Sequence, residues 1–203
     1  WSSDVCSSDL VDREYAMARR THEYLLRHPT WPTEWILQSV LIAWNDYQYT
    51  GDPGPLKRHY RDLQARTLTA LARPDGLITL ENLTEAVHES IHFTGAARDQ
   101  FPHGLRDIVD WPRSERDEFD DRPVNAVVNA FHYRALVLMK AISAALGKTE
   151  EAARYGKQAD AVYAAFQRVF VDPGSGLVRD GEGIDHFSLH ASIFALAFGL
   201  VPG

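Results

Sequence analysis

The 203-residue sequence predicts an all-α chain built from helices in pairs. Three observations carry this. Apolar residues recur at helical spacing over most of the chain. Pro- and Gly-containing turns cut those stretches into helix–turn–helix units of roughly forty to fifty residues. Strand signals are confined to short pieces such as Gly76-Leu77-Ile78-Thr79. Such units can stack as a repeat scaffold or close into a toroid.

The elements follow in order. Tyr15, Ala18, His22 and Leu25 make a stripe through residues 11–28, and His28-Pro29-Thr30-Trp31-Pro32 breaks it, because each proline disfavours helix in the residue before it. Thr33 is a good N-cap for the next helix, with Glu34 in its first turn and Ile36, Val40, Ala43 and Tyr47 on one face. Gly51-Asp52-Pro53-Gly54 stops it. Residues 56–71 predict a third helix, with Tyr60, Leu63, Thr67 and Leu71 as its stripe. From 77 to 122 the period weakens into a long excursion ending in a dense charge run over 113–122, which reads as a solvated loop. Pro123 suits a helix start. Val124, Val127, Val128, Phe131, Ala135, Leu138 and Ile142 then keep a helical period, opposite a polar stripe of Asn125, Asn129 and His132. Gly147 stops that helix and Thr149 caps the next, whose stripe is Ala152, Tyr155, Ala159, Val162, Phe166 and Phe170. Two loops, at 172–176 and 181–185, precede a last apolar helix over 187–200.

Composition excludes several classes. Hydrophobic residues at 45% and charged residues at 24% fit a globular chain rather than a disordered one. A net charge of −7 makes a poor general nucleic-acid binder, because phosphate contacts need clustered Lys and Arg. No apolar run reaches the ~18 residues a membrane helix needs. Residues 1–10, WSSDVCSSDL, change abruptly to an amphipathic pattern at Val11 and read as the translation of a sequencing adapter, not native chain. The single cysteine, Cys6, lies there, so cysteine usage does not report a redox compartment. On this reading the native chain is cut upstream of Val11, and 11–203 is one incomplete domain. The compartment and the oligomeric state stay open.

Local chemical motifs are sparse. The sequence has no GxGxxG, P-loop, HExxH or CxxC. His88 and His92 have the i, i+4 spacing of paired metal ligands, but no third ligand stands near; His186 and His190 share that spacing, where a helix N-terminal turn facing a pocket is the alternative, and no metal is assigned. Two clusters concentrate chemistry. Trp31-Pro32-Thr33-Glu34-Trp35 puts two indoles and a carboxylate at a helix start, where a hydrophobic staple is the alternative reading. Arg106-Asp107-Ile108-Val109-Asp110-Trp111-Pro112 sets carboxylate and indole side by side on a loop. A carboxylate accepts hydrogen bonds from sugar hydroxyls and an indole stacks on the C–H face of a sugar ring, while a buried tryptophan is the alternative.

These clusters, with Tyr49-Thr50-Gly51-Asp52, the run from Val127 through His132 to Leu136, Asp185-His186-Phe187-Ser188-Leu189-His190, and Ala197-Phe198-Gly199-Leu200-Val201-Pro202, resemble, in the same order, the bacterial α-L-rhamnosidase catalytic domain of glycoside hydrolase family 78. The resemblance implies a partial (α/α)6 six-hairpin toroid. It implies inverting hydrolysis of terminal α-L-rhamnose, a carbohydrate partner and no cofactor. It places Trp35 at the family's tryptophan at the start of an inner helix, where Ile36-Leu37 replaces the usual Gly-Asp. Asp110-Trp111 fall on the family's Gly-Asp-Trp, with Val109 in place of Gly. Glu34, Asp107, His132 and His190 are further candidates for pocket-facing helix ends. The resemblance puts the general acid upstream of Val11 and the general base beyond Gly203. The expectation is therefore an inactive, poorly soluble piece of a hydrolase. A six-hairpin glycosidase for another sugar, and a helical-repeat interaction domain, are the alternatives.

Overall fold

The computed structural model describes residues 15–202. The adapter reading of 1–10, with Cys6, lies outside the described residues. Nine α-helices follow one another among those described: α1 (Tyr15–Arg27), α2 (Thr33–Thr50), α3 (Gly54–Arg58), α4 (Tyr60–Arg66), α5 (Glu85–Ser90), α6 (Ala96–Gln100), α7 (Ala126–Ala145), α8 (Thr149–Phe170) and α9 (Leu189–Ala197). Only isolated β-bridges join extended segments among the described residues, so the all-α expectation holds. The strand signal at 76–79 amounts to one bridge, Ala72 to Ile78. No helix among the described residues is long and apolar enough to cross a membrane.

The α7–α8 pair is a helical hairpin with a three-residue connection, and Gly147 at φ 72° makes the turn. The stripes read from sequence form its seam: Leu138 and Ile142 of α7, and Tyr155, Val162, Phe166 and Phe170 of α8, are all buried. α7 also packs against α2 and α9, and α1 and α4 pack on α2. The polar stripe of α7 faces inward too. Asn129 Oδ1 accepts the Ile78 N–H at 2.8 Å, and its amide donates to the Ile78 carbonyl at 3.1 Å. A side-chain amide thus pairs with Ile78 as a neighbouring strand would, which explains an extended residue without a sheet.

Two predicted boundaries move. The helix expected over 56–71 breaks into α3, α4 and a 3₁₀ turn at Thr69–Leu71, because His59 leaves helical geometry and Leu68 sits at φ 55°. α7 begins after Asn125, not at Pro123, since the Asn125 side chain accepts the Val128 N–H at 2.9 Å and caps the first turn. The long excursion is held from inside. Arg66, almost fully buried, donates to the carbonyls of Leu26 at 2.7 Å and Ile91 at 3.0 Å, tying the end of α1 to the end of α5. On α9, Leu189, Ile193 and Leu196 lie exposed at i, i+4 and i+7, a continuous apolar face.

Candidate functional site

Residues 106–110 form the junction of three helix starts. The Arg106 carbonyl accepts the Thr33 N–H at 3.1 Å, and the Arg106 N–H reaches the Trp31 carbonyl at 3.2 Å, so the loop runs beside the entry to α2. The Arg106 guanidinium covers the Trp31 ring, 4.2 Å from its centroid. One residue on, Asp107 Oδ2 accepts the Asn125 side-chain amide at 2.6 Å, at the cap of α7. Glu34, in the first turn of α2, accepts the Ile108 and Val109 N–H groups at 3.1 and 2.8 Å. Asp110 then meets His190, in the first turn of α9, at 2.9 Å. Asp107 and Asp110 can be at most about 11 Å apart even on fully extended chain. The N-terminal ends of α2, α7 and α9 therefore converge on one short stretch, and their partial positive charges favour its carboxylates.

The candidates separate into three groups. Trp35, Asp110 and Trp111 face solvent at this end; Trp111 is 73% exposed and Trp35 41%. Burial pushes the Asp110 carboxyl up. Hydrogen bonds from His190 and from the Trp111 N–H at 2.6 Å more than offset this and hold it below its ordinary value, hence ionised. Glu34 and Asp107 belong to the same end but sit beneath it. Glu34 is 2% exposed and its oxygens are occupied by backbone amides, so it fastens the loop instead of meeting a ligand. Burial, and then the charge of Asp107, raise it to about 7; burial likewise raises Asp107 to about 6.

His132 stands apart and corrects the expectation that it faces a pocket. It is 1% exposed, its Nδ1 lies 2.7 Å from the Thr67 carbonyl, and burial lowers it to about 4, so it is a neutral core residue. His88 and His92 do not form a pair. His92 bonds Asp62 at 3.1 Å, while His88 is buried with its ring against Phe93. No group of three His, Cys, Asp or Glu side chains among the described residues is arranged to hold a metal.

Sequence reading missed the supports. Asn125 joins α7 to Asp107. Asp180, fully buried, accepts the Ser188 N–H at 2.8 Å, the Asp120 N–H at 2.9 Å and His186 Nδ1 at 2.6 Å, which sets the start of α9 against the 117–122 segment. Only the cap-type residue before each helix could have signalled these roles. Val109 is at φ 62°, a left-handed conformation that strains a β-branched residue and that glycine adopts freely.

An exposed indole, Trp111, adjoining an ionised, oriented carboxylate, with a second exposed indole, Trp35, in the first turn of α2, suits a ligand with flat C–H faces and several hydroxyl groups. A separate apolar cleft of about 340 Å³ lies further along the helices, lined in part by Tyr15, Tyr49, Phe131, Phe194 and Phe198.

The family model described as the bacterial alpha-L-rhamnosidase 6 hairpin glycosidase domain matches residues 22–203. Among solved structures, the GH78 family rhamnosidase of Bacillus sp. GL1 is similar, with a TM-score of 0.65 at 18% identity. The match covers 86% of this chain and 16% of that one, so the chain spans about a sixth of that relative. At this identity the likeness shows the fold. No curated protein matches the chain.

Proposed function

The chain belongs to the bacterial α-L-rhamnosidase six-hairpin glycosidase family, and from that premise we propose that it supplies the ligand-binding wall of a glycoside hydrolase that releases terminal α-L-rhamnosyl residues with inversion. What supports this reading is that Trp35, in the first turn of α2, and Asp110 and Trp111, on the loop fastened against that helix start, are all exposed at the end where α2, α7 and α9 begin. In this reading the Trp111 and Trp35 indoles pack on the deoxy sugar's C–H and methyl faces. Asp110 accepts hydrogen bonds from its hydroxyls. His190 orients Asp110, and Glu34 and Asp107 hold the loop that carries it.

Inversion needs an acid and a base roughly 6.5–9.5 Å apart, flanking the bond to be cleaved. Glu34 is taken up by backbone amides, Asp107 is buried with its Oδ2 on the Asn125 amide, and Asp110 is held by His190 and Trp111. The catalytic pair is therefore assigned to other parts of the parent enzyme.

Titration of the chain with L-rhamnose and a panel of other monosaccharides, followed by tryptophan fluorescence, tests this reading. L-Rhamnose should bind best, and Asp110→Asn or Trp111→Ala should weaken it at least about tenfold, the ~1.4 kcal/mol expected of one charged hydrogen bond or one stacked ring. Equal affinity in wild type and both variants would remove the mouth from the account. Preference for another sugar would keep the mouth and change the substrate.

A further inference from the structure

We propose that Arg116 and Asp117, two residues of the charge run over 113–122, are the positioning residues of the mouth: they close the 110–117 loop on itself and on the first turn of α9, and so fix where Asp110 and Trp111 stand. Their effect on a ligand rests on the function proposed above; the closure of the loop does not. The run reads from its composition as solvated, and most of it is exposed. Arg116 departs from that. Its side chain is 13% exposed, against 43% for Arg122 at the end of the same run.

The reason is where its guanidinium goes. Arg116 Nε donates to the Asp110 carbonyl at 2.8 Å, and Nη1 lies 3.6 Å from an Asp121 carboxylate oxygen. The Arg116 carbonyl accepts the Phe119 N–H at 3.0 Å, and Phe119 is buried in the core. One side chain therefore ties the backbone of Asp110 to a turn that a core ring pins. Its anchor is a main-chain carbonyl, so the bond sets the path of the loop and does not occupy the Asp110 carboxylate.

Asp117 closes the other end. Its Oδ2 accepts the N–H of Leu189, the first residue of α9, at 2.7 Å, where a carboxylate meets the positive end of the helix. That helix start already has a cap of its own, the Ser188 hydroxyl on the Ala191 N–H at 3.3 Å, so the Asp117 bond serves the loop. Asp117 and Glu118 are consecutive non-glycine residues at φ 53° and 55°. Such backbone is strained and persists only where surrounding contacts over-determine it. Asp110 and Asp117, at the two ends of the loop, thus take hold of consecutive residues of α9, His190 and Leu189. Trp111 gains little from packing, since most of its ring is exposed. Its place is set by the backbone that carries it. A loop ordered before the ligand arrives spares the entropy of ordering it on binding.

NMR order parameters of the Trp111 and Ser114 backbone amides test the closure without any sugar. Both should lie near ~0.85 in the wild-type chain and fall below ~0.6 in Arg116→Ala and in Asp117→Ala, while amides in the middle of α7 keep their values. The Trp35 indole N–H resonance, on α2, should stay where it is. Arg116→Lys keeps a donor for the Asp110 carbonyl and should recover part of the order. In the same proteins the affinity for L-rhamnose should fall about threefold to tenfold in the alanine variants and recover in part with lysine. Unchanged order parameters in both alanine variants would overturn the closure. Loss of order with unchanged affinity would overturn its role at the mouth. A wild-type chain that binds no sugar removes the function proposed above, and the order parameters still decide the closure. Should one alanine variant lose its helical circular dichroism, the other decides.

Discussion

Between α7 and α8 the chain is fastened by Leu138, Ile142, Tyr155, Val162, Phe166 and Phe170, all apolar or aromatic and all buried. At the other extreme, residues 106–111 are fastened to three helix starts by Glu34, Asp107, Asn125, Asp110 and His190, through hydrogen bonds and charge. The hairpin is non-directional in its physics. Apolar area removed from water stabilises it at roughly 25 cal/mol per Å², whatever the exact side chain. The mouth is directional: each polar group needs one partner at one distance, and a buried group that loses its partner is costly. Stability therefore resides in the hairpin, and the polar end can be arranged for a ligand.

Three perturbations break or sharpen that contrast. Phe166→Ala should have the largest effect, a loss of about 3–5 kcal/mol in urea unfolding from the deleted ring and the cavity left behind. The amide hydrogen exchange of Ile108 and Val109 relative to global unfolding should stay as in the wild-type chain. A fall of under about 1 kcal/mol would mean that the hairpin is not where the stability lies.

The second perturbation is pH, where the two regions oppose each other. Burial lowers His22 and His132 to about 4, so both are neutral in the fold. Their contribution is complete above the unfolded value near 6.5 and is lost as pH falls toward 4. Glu34 and Asp107 act in the reverse sense over much of the same range. The urea midpoint should thus fall only modestly from about pH 7 to about pH 5 in the wild-type chain, and more steeply in Glu34→Gln, where the opposing limb is reduced. Identical pH profiles in the two proteins would contradict the opposition.

The smallest effect is expected of Val109→Gly. It deletes a buried side chain but relieves the left-handed strain at φ 62°, and the two should nearly cancel, to within about 1 kcal/mol. Val127→Gly, inside α7 and also buried, should cost several times more in the same unfolding measurement.

The same contrast explains what could be read from the sequence. Apolar periodicity is written locally, so α2, α7, α8 and their stripes were legible, and the ordered phrases around Trp35, Asp110 and Trp111 pointed to the family. Glu34 was legible as a residue of this end but not in its role, because the amides of Ile108 and Val109 stand more than seventy residues away in the chain. His132 sits on a polar stripe that looks solvent- or pocket-facing until Thr67 arrives to meet it. The break at Leu68 carried no signal, since leucine rarely takes a positive φ.

The measurement closest to the central claim is a heteronuclear NMR titration of the chain with L-rhamnose, following the indole N–H resonances of Trp35 and Trp111 with the backbone amides of Asp110 and His190. The four should shift together along one binding curve. Shifts confined to Tyr49, Phe131 and Phe194 in the apolar cleft, with Trp35 and Trp111 unmoved, would place the ligand elsewhere and contradict the account.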